Sequence, residues 1–322
     1  MLIQIMGAEA QGYNRTVVYV RRNHNELFRP ADFDVCLMDY FGMRNGNGRL
    51  DCTLENNIVY LQPPAERSPS SRRRRRTTES QKSERDCQSE DHEYSGYRFQ
   101  HPSFCVPRKI TSADREALPP EIRERGVDVG VSALIESKDG YVLMTRRALH
   151  MRTFPGVWVP PGGHCEDGET LVEVAARELS EETGLELETE EYRHFRILGL
   201  WESTYPPVRY RGLPVRHHLV VYLHGKLERT VDALQSQLRL NYTEVNASAW
   251  LTAEMVAVVV KGSERRAEEI IPITTVDENG EHSEGLMDPK ALRKKMPEPD
   301  KEVERITTGT RYALKLWLDD QE

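Results

Sequence analysis

The residues best equipped for chemistry lie in one stretch of 23 residues, Gly163 to Leu185, reading GHCEDGETLVEVAARELSEETGL, with seven acids and a single arginine. On a helix that turns about 100° per residue, Leu171, Val174, Ala175 and Leu179 mark an apolar, inward arc. Glu178 and Glu182 fall inside that arc and Glu181 at its edge, whereas a solvated acidic face would lie opposite, where Glu173 and Ser180 are. Carboxylates aimed at a protein interior need a cation to offset their lost hydration. Three of them at i, i+3 and i+4 make a hard-oxygen set suited to Mg²⁺ or Mn²⁺.

These acids need a helix and a turn to hold them, and the sequence supplies both. Thr170 with Glu173 is a capping box that starts a helix, and Gly184 is a natural stop. Ahead of them, Pro160-Pro161-Gly162-Gly163 is a rigid turn whose glycines let backbone approach a ligand. A strand, a glycine turn and an acid-lined helix can hold a metal beside phosphates.

Gly163, Glu169, Arg177, Glu178, Leu179, Glu181, Glu182, Gly184 and Leu185 fill every fixed position of G-x5-E-x7-R-E-U-x-E-E-x-G-U, where U is bulky and aliphatic. The stretch thereby resembles the signature of the Nudix hydrolases. The resemblance implies an α/β fold, an α/β/α sandwich with a mixed sheet, and metal-dependent hydrolysis of a diphosphate linkage in nucleoside diphosphate derivatives. It implies that Glu178, Glu181 and Glu182, with the Gly163 carbonyl, hold the metal, and that Arg177 pairs with Glu169 to fix loop against helix. A glutamate in this stretch or on a later loop would deprotonate the attacking water. No covalent nucleophile is required.

The chain has 322 residues, room for two domains, and a net charge of −8, which disfavours a surface that coats nucleic acid generally. Its five cysteines, Cys36, Cys52, Cys87, Cys105 and Cys165, include no C-x-x-C pair, which argues against a zinc ribbon and a secreted disulfide framework. No apolar run approaches the length of a membrane span, the N-terminus does not read as a secretory signal, and the C-terminus is not a peroxisomal address. A cytoplasmic protein is expected, with the nucleus open.

Four segments are expected. Residues 1–62 read as a small β-rich accessory region, with strand-like runs at Thr16–Val20, Val35–Met38 and Ile58–Leu61. Residues 63–96 read as a disordered Arg/Ser-rich linker, its run Arg72–Arg76 being a solvated stretch, a nuclear-import patch or an RNA contact. Residues 125–262 carry the catalytic domain, opening on a hairpin turned at Lys138-Asp139-Gly140. Residues 263–322 form a C-terminal extension, loop-like over 264–284 and ending in a docking helix over Thr310–Leu318.

Segments downstream of the acidic helix, including Gly199–Pro207, Gly212-Leu213-Pro214 and Thr308–Leu318, resemble an animal branch of the Nudix family. That resemblance implies a nucleotide-derivative substrate, the 5′ cap of RNA, cleaved to release methyl-GDP. A cap base stacks on aromatics, and Trp201, Tyr205 and Tyr210 flank a Pro-rich loop, although core packing explains Trp201 equally well. His217 and His218 share a strand, so one of them at most meets substrate, and His217 is the candidate. Glu202 and Glu244 are surface acids or an added metal ligand or base, and Glu244 is retained as a substrate-site candidate. Two alternatives stand beside this one. Arg146, Arg147 and Arg152 resemble the upstream pattern of coenzyme A diphosphatases, although Pro160 stands where that pattern has phenylalanine. A non-catalytic nucleotide-binding module would be expected to have lost some of the glutamates this chain keeps.

Overall fold

A computed structural model describes residues 15–43, 45–65, 96–261, 270–293 and 305–321. The linker expected at 63–96, with Arg72–Arg76, lies outside the described residues apart from its ends.

The N-terminal region contributes β1 (Val17–Val20), β2 (Arg29–Pro30), helix α1 (Leu37–Tyr40), β3 (Asn47–Glu55), β4 (Ile58–Gln62) and β5 (Tyr97–Gln100). Short helices α2 (Ser112–Ala117) and α3 (Pro120–Arg123) lead into β6 (Asp128–Glu136), β7 (Val142–Arg147), β8 (Val157–Val159), β9 (Gly162–His164) and helix α4 (Leu171–Thr183). Then come β10 (Phe195–Tyr205), β11 (Arg216–Lys226), α5 (Val231–Gln237), β12 (Val245–Leu251) and α6 (Ala253–Lys261). The chain closes with β13 (Ile271–Val276), β14 (His282–Met287), β15 (Arg305–Ile306) and α7 (Thr308–Asp319).

Among the described residues these strands form one mixed sheet, with main path β14-β13-β12-β7-β6-β11-β10-β5-β3-β4-β1-β2. β6 and β11 run parallel from Asp128↔His218 to Glu136↔Lys226, and β10 lies antiparallel to β11. The N-terminal strands continue that sheet, because β5 adds parallel to β10 and Val17 pairs with Asp128.

Alternation along the strands builds a core on each face. Val129, Val131 and Ala133 of β6 with Leu219, Val221 and Leu223 of β11 face Val174, Ala175 and Leu179 of α4. Tyr222, Trp201, Met144 and Ala249 point the other way, onto Val256 and Val259 of α6 and Ala313, Leu316 and Trp317 of α7. The C-terminal helix is thus part of the second core.

Two local expectations are overturned. Val35–Met38 is not a strand: Cys36 precedes the single turn of α1, which buries Leu37, Met38 and Tyr40 at once, as a helix turn can and an isolated strand edge cannot. Of the loop expected at 264–284, the described part, from 270 onward, is not a plain loop either. There β13 and β14, which runs on to Met287, pair from Ile271↔Met287 to Val276↔His282, around a turn in which the Asp277 side chain accepts from the Asn279 and Glu281 backbone N–H groups. The strand content hides because this hairpin sits at the sheet's end, where Pro272, Ser283 and Glu284 are exposed.

Candidate active site

Helix α4 starts on the Thr170–Glu173 box: Thr170 Oγ1 accepts from the Glu173 N–H at 3.3 Å and Glu173 Oε2 from the Thr170 N–H at 2.7 Å. It stops at Gly184, whose φ of 70° is left-handed and natural to glycine. With its ends set and Val174, Ala175 and Leu179 packed into the core, the helix's rotation is fixed, and Glu178 and Glu182 are buried, Glu182 at 2 % exposure.

Arg177 organises the loop before the helix. Its Nε and Nη2 donate to the two Glu169 oxygens at 2.7 and 3.0 Å, and Nη2 also donates to the His164 carbonyl at 2.9 Å. Nη1 reaches Glu178 Oε1 at 2.8 Å and Glu181 Oε2 at 3.0 Å. Such a fork fixes several acceptors in one plane, which a lysine cannot do.

The carboxylates of Glu178, Glu182 and Glu244 converge, with one oxygen from each within 4.8 Å of the others. Burial, the leading cause, raises the Glu178 carboxyl above its ordinary value and pushes that of Glu182 to about 8. The Thr145 hydroxyl lies 3.2 Å from Glu182 Oε2, and Arg147 faces the same group. Two desolvated acids beside a third, all offering oxygen, fit a divalent cation of the Mg²⁺ or Mn²⁺ type. Glu181 does not join them. Its side chain is 48 % exposed and turned to Arg177, as its place at the edge of the helical arc allows. Glu244, from the loop before β12, stands in the cluster instead.

Gly163 lies against this group, and a Cβ there would overlap the Glu178 carboxylate. Gly163→Ala is therefore expected to lower turnover by roughly 10²-fold or more through displacement of Glu178, with the fold retained. Steady-state kinetics beside a circular dichroism melt checks this.

A cleft of about 530 Å³ opens from the carboxylates. Gly130 and Ser132 of β6 line it, as do His218, Val220 and Tyr222 of β11. Trp201 and Tyr205 line it too, with Phe154, whose ring meets Tyr205 edge-on at 5.0 Å. Trp201 is also core, its ring tilted against that of Tyr312 of α7 with centroids 5.3 Å apart, so both readings of it describe one residue. Tyr210 is 59 % exposed and does not line the cleft.

His217 was the candidate for substrate contact, and the structure places it elsewhere. It is fully buried, with Nδ1 2.7 Å from the Phe33 carbonyl and Nε2 3.0 Å from Glu202 Oε1, so neither ring nitrogen is left for a ligand. Strand alternation sends His218 into the cleft instead, where its Nε2 lies 3.2 Å from that of His164. Burial lowers both rings below the ordinary histidine value, with Arg216 and Arg125 adding to it. Glu202 is no surface acid but 1 % exposed, and burial, which alone would raise its carboxyl, is outweighed by His101 and His217, which hold it near 2.

The chain matches the NUDIX domain model over residues 126–273. It is 42 % identical over 236 residues to m7GpppN-mRNA hydrolase NUDT17 of Danio rerio, covering 70 % of this chain and 78 % of that one. The Xenopus laevis protein of the same name is 36 % identical over 315 residues, 95 % of each chain, and the Homo sapiens one 36 % over 229 residues, 68 % and 70 %. The chain belongs to the Nudix family. As a Nudix hydrolase it acts on phosphoric anhydrides, and enzymes of this family use divalent metal ions. The Nudix α/β/α sandwich with its mixed sheet is the fold expected from the sequence.

Proposed function

We propose that this Nudix hydrolase removes the 5′ cap of methylguanosine-capped RNA and releases methyl-GDP. The observation that carries the reading is a single cleft joining the Glu178–Glu182–Glu244 cluster to an aromatic wall of Trp201, Tyr205 and Phe154. One end suits a polyphosphate with its cation, the other the face of a cap base. The relatives named above carry that activity in their names.

Glu178 and Glu182, with the Gly163 carbonyl, would hold Mg²⁺ or Mn²⁺. Bound there, the cation neutralises the polyphosphate and lowers the pKa of water. The chain's own residues do the rest. Arg177 holds Glu178 in place and ties it to Glu169. Thr145 and the Gly162 N–H, which donates to Glu182 Oε1 at 3.4 Å, orient Glu182. Glu244, half-buried on its loop, receives the proton of the attacking water. Coenzyme A is the weaker reading, because of the three arginines only Arg147 lines the cleft, where it faces Glu182, while Arg146 donates to Asn246 at 2.8 Å.

Trp201→Leu keeps an apolar side chain against the core but removes the indole face. It is expected to raise KM for capped RNA about 10-fold, since base–aromatic stacking is worth ~1–3 kcal/mol, and to leave kcat within about threefold. Measuring both constants on a short capped RNA tests this, and an unchanged KM would take the aromatic wall out of substrate binding.

A further inference from the structure

We propose a second metal centre, a structural zinc site formed by Cys36, His101, Cys105 and Glu202, which fastens the N-terminal layer to the catalytic sheet. The four residues come from three parts of the chain. Cys36 precedes α1, His101 and Cys105 follow β5, and Glu202 lies on β10. All four are buried, and one donor atom from each lies within 4.8 Å of the others.

Three of the ligand–ligand distances match the edges of one tetrahedral face. Bonds of ~2.0–2.3 Å to nitrogen, oxygen and sulfur set edges of roughly 3.3–3.8 Å between the ligands. Cys36 Sγ lies 3.4 Å from His101 Nδ1 and 3.3 Å from Glu202 Oε2, and His101 Nδ1 lies 3.5 Å from Glu202 Oε2. His101 and Cys105 are four apart on a turn in which the Cys105 N–H donates to the Pro102 carbonyl at 3.0 Å, a spacing that lets two side chains face one point.

The ligand chemistry selects the ion. Two thiols and an imidazole are borderline-soft donors that suit Zn²⁺ and discriminate against Mg²⁺ and Mn²⁺, whereas the catalytic cluster offers only carboxylates. The surroundings orient the ligands as metal sites require. Glu202 Oε1 accepts from the Leu37 N–H at 2.7 Å and meets His217 at 3.0 Å, which leaves Oε2 for the centre. Two thiolates and a carboxylate around Zn²⁺ carry a net negative charge, and Arg108 interacts electrostatically with both sulfurs.

The site lies behind the cleft. Glu202 follows Trp201, and successive strand residues face opposite sides, so zinc would brace the strand from behind while the indole faces the cleft. Four closed protein ligands mark a structural rather than a catalytic zinc.

The full chain, produced in zinc-supplemented medium and purified without chelator, should hold equimolar zinc by plasma mass spectrometry. Cys36→Ser with Cys105→Ser should remove it, and Glu178→Gln with Glu182→Gln should not. Replacement of the wild-type metal by Co²⁺ should give a thiolate-to-cobalt charge-transfer band and the intense visible bands of a tetrahedral site, a readout that does not depend on any variant folding. Zinc-free wild-type protein, a cobalt spectrum without thiolate bands, zinc lost with the carboxylate pair, or a Cys36–Cys105 disulfide in the intact mass would each overturn the proposal.

Discussion

Glu178→Gln is expected to lower kcat for anhydride hydrolysis about 10³-fold, ~4 kcal/mol of transition-state stabilisation. The amide keeps the side chain's shape and still accepts from Arg177 Nη1, so the loop stays tied to the helix and only the charge and the metal oxygen are lost. Stability should hold or rise, because the mutation removes a carboxyl whose ionisation burial disfavours. Single-turnover rates and melting curves of the two proteins separate the effects. Turnover unchanged within threefold would remove Glu178 from the metal site.

The second large effect is a linkage between pH, metal and stability. The folded Glu182 carboxyl titrates near 8 against an ordinary value of 4.5, because it is buried, and Glu178 is shifted in the same direction. Between those values the folded state keeps a proton that the unfolded chain has released. Stability without a divalent ion at the carboxylates is therefore fullest below about pH 4.5 as far as this group is concerned, and is lost as pH rises through 8. The contribution is a few kcal/mol, roughly 5–10 °C of Tm for a chain of this size. Added Mg²⁺ or Mn²⁺ binds the ionised form and should raise Tm much more at pH 8 than at pH 5. Glu182→Gln should flatten both the pH slope and the metal response. Melts at both pH values, with and without metal, test this, and equal slopes in wild type and variant would contradict it.

The part of the site carried by one helix was legible in the sequence, because helical rotation is fixed by local geometry. The capping box at Thr170 and the stop at Gly184 set the helix, and Glu178 and Glu182 follow from it. Glu244 was not separable from other late acids, since only the pairing of β12 with β7 brings it beside them. Strand alternation foretold that His217 and His218 would part, but not which face holds the cleft, which depends on how β11 lies between β6 and β10. The cysteines without a C-x-x-C pair argued against a zinc ribbon. Cys36 and Cys105 come beside Glu202 because β5 joins β10 and brings the N-terminal layer onto the catalytic sheet, a contact between distant parts of the chain that no local spacing records.

The most direct test of the proposed activity is the mass of the products. The full chain, with Mg²⁺ or Mn²⁺, would be incubated separately with methyl-capped RNA, coenzyme A, ADP-ribose and a dinucleoside polyphosphate. The structure and its relatives predict methyl-GDP from capped RNA, abolished by Glu178→Gln. Intact capped RNA alongside phosphopantetheine released from coenzyme A would contradict the cap assignment.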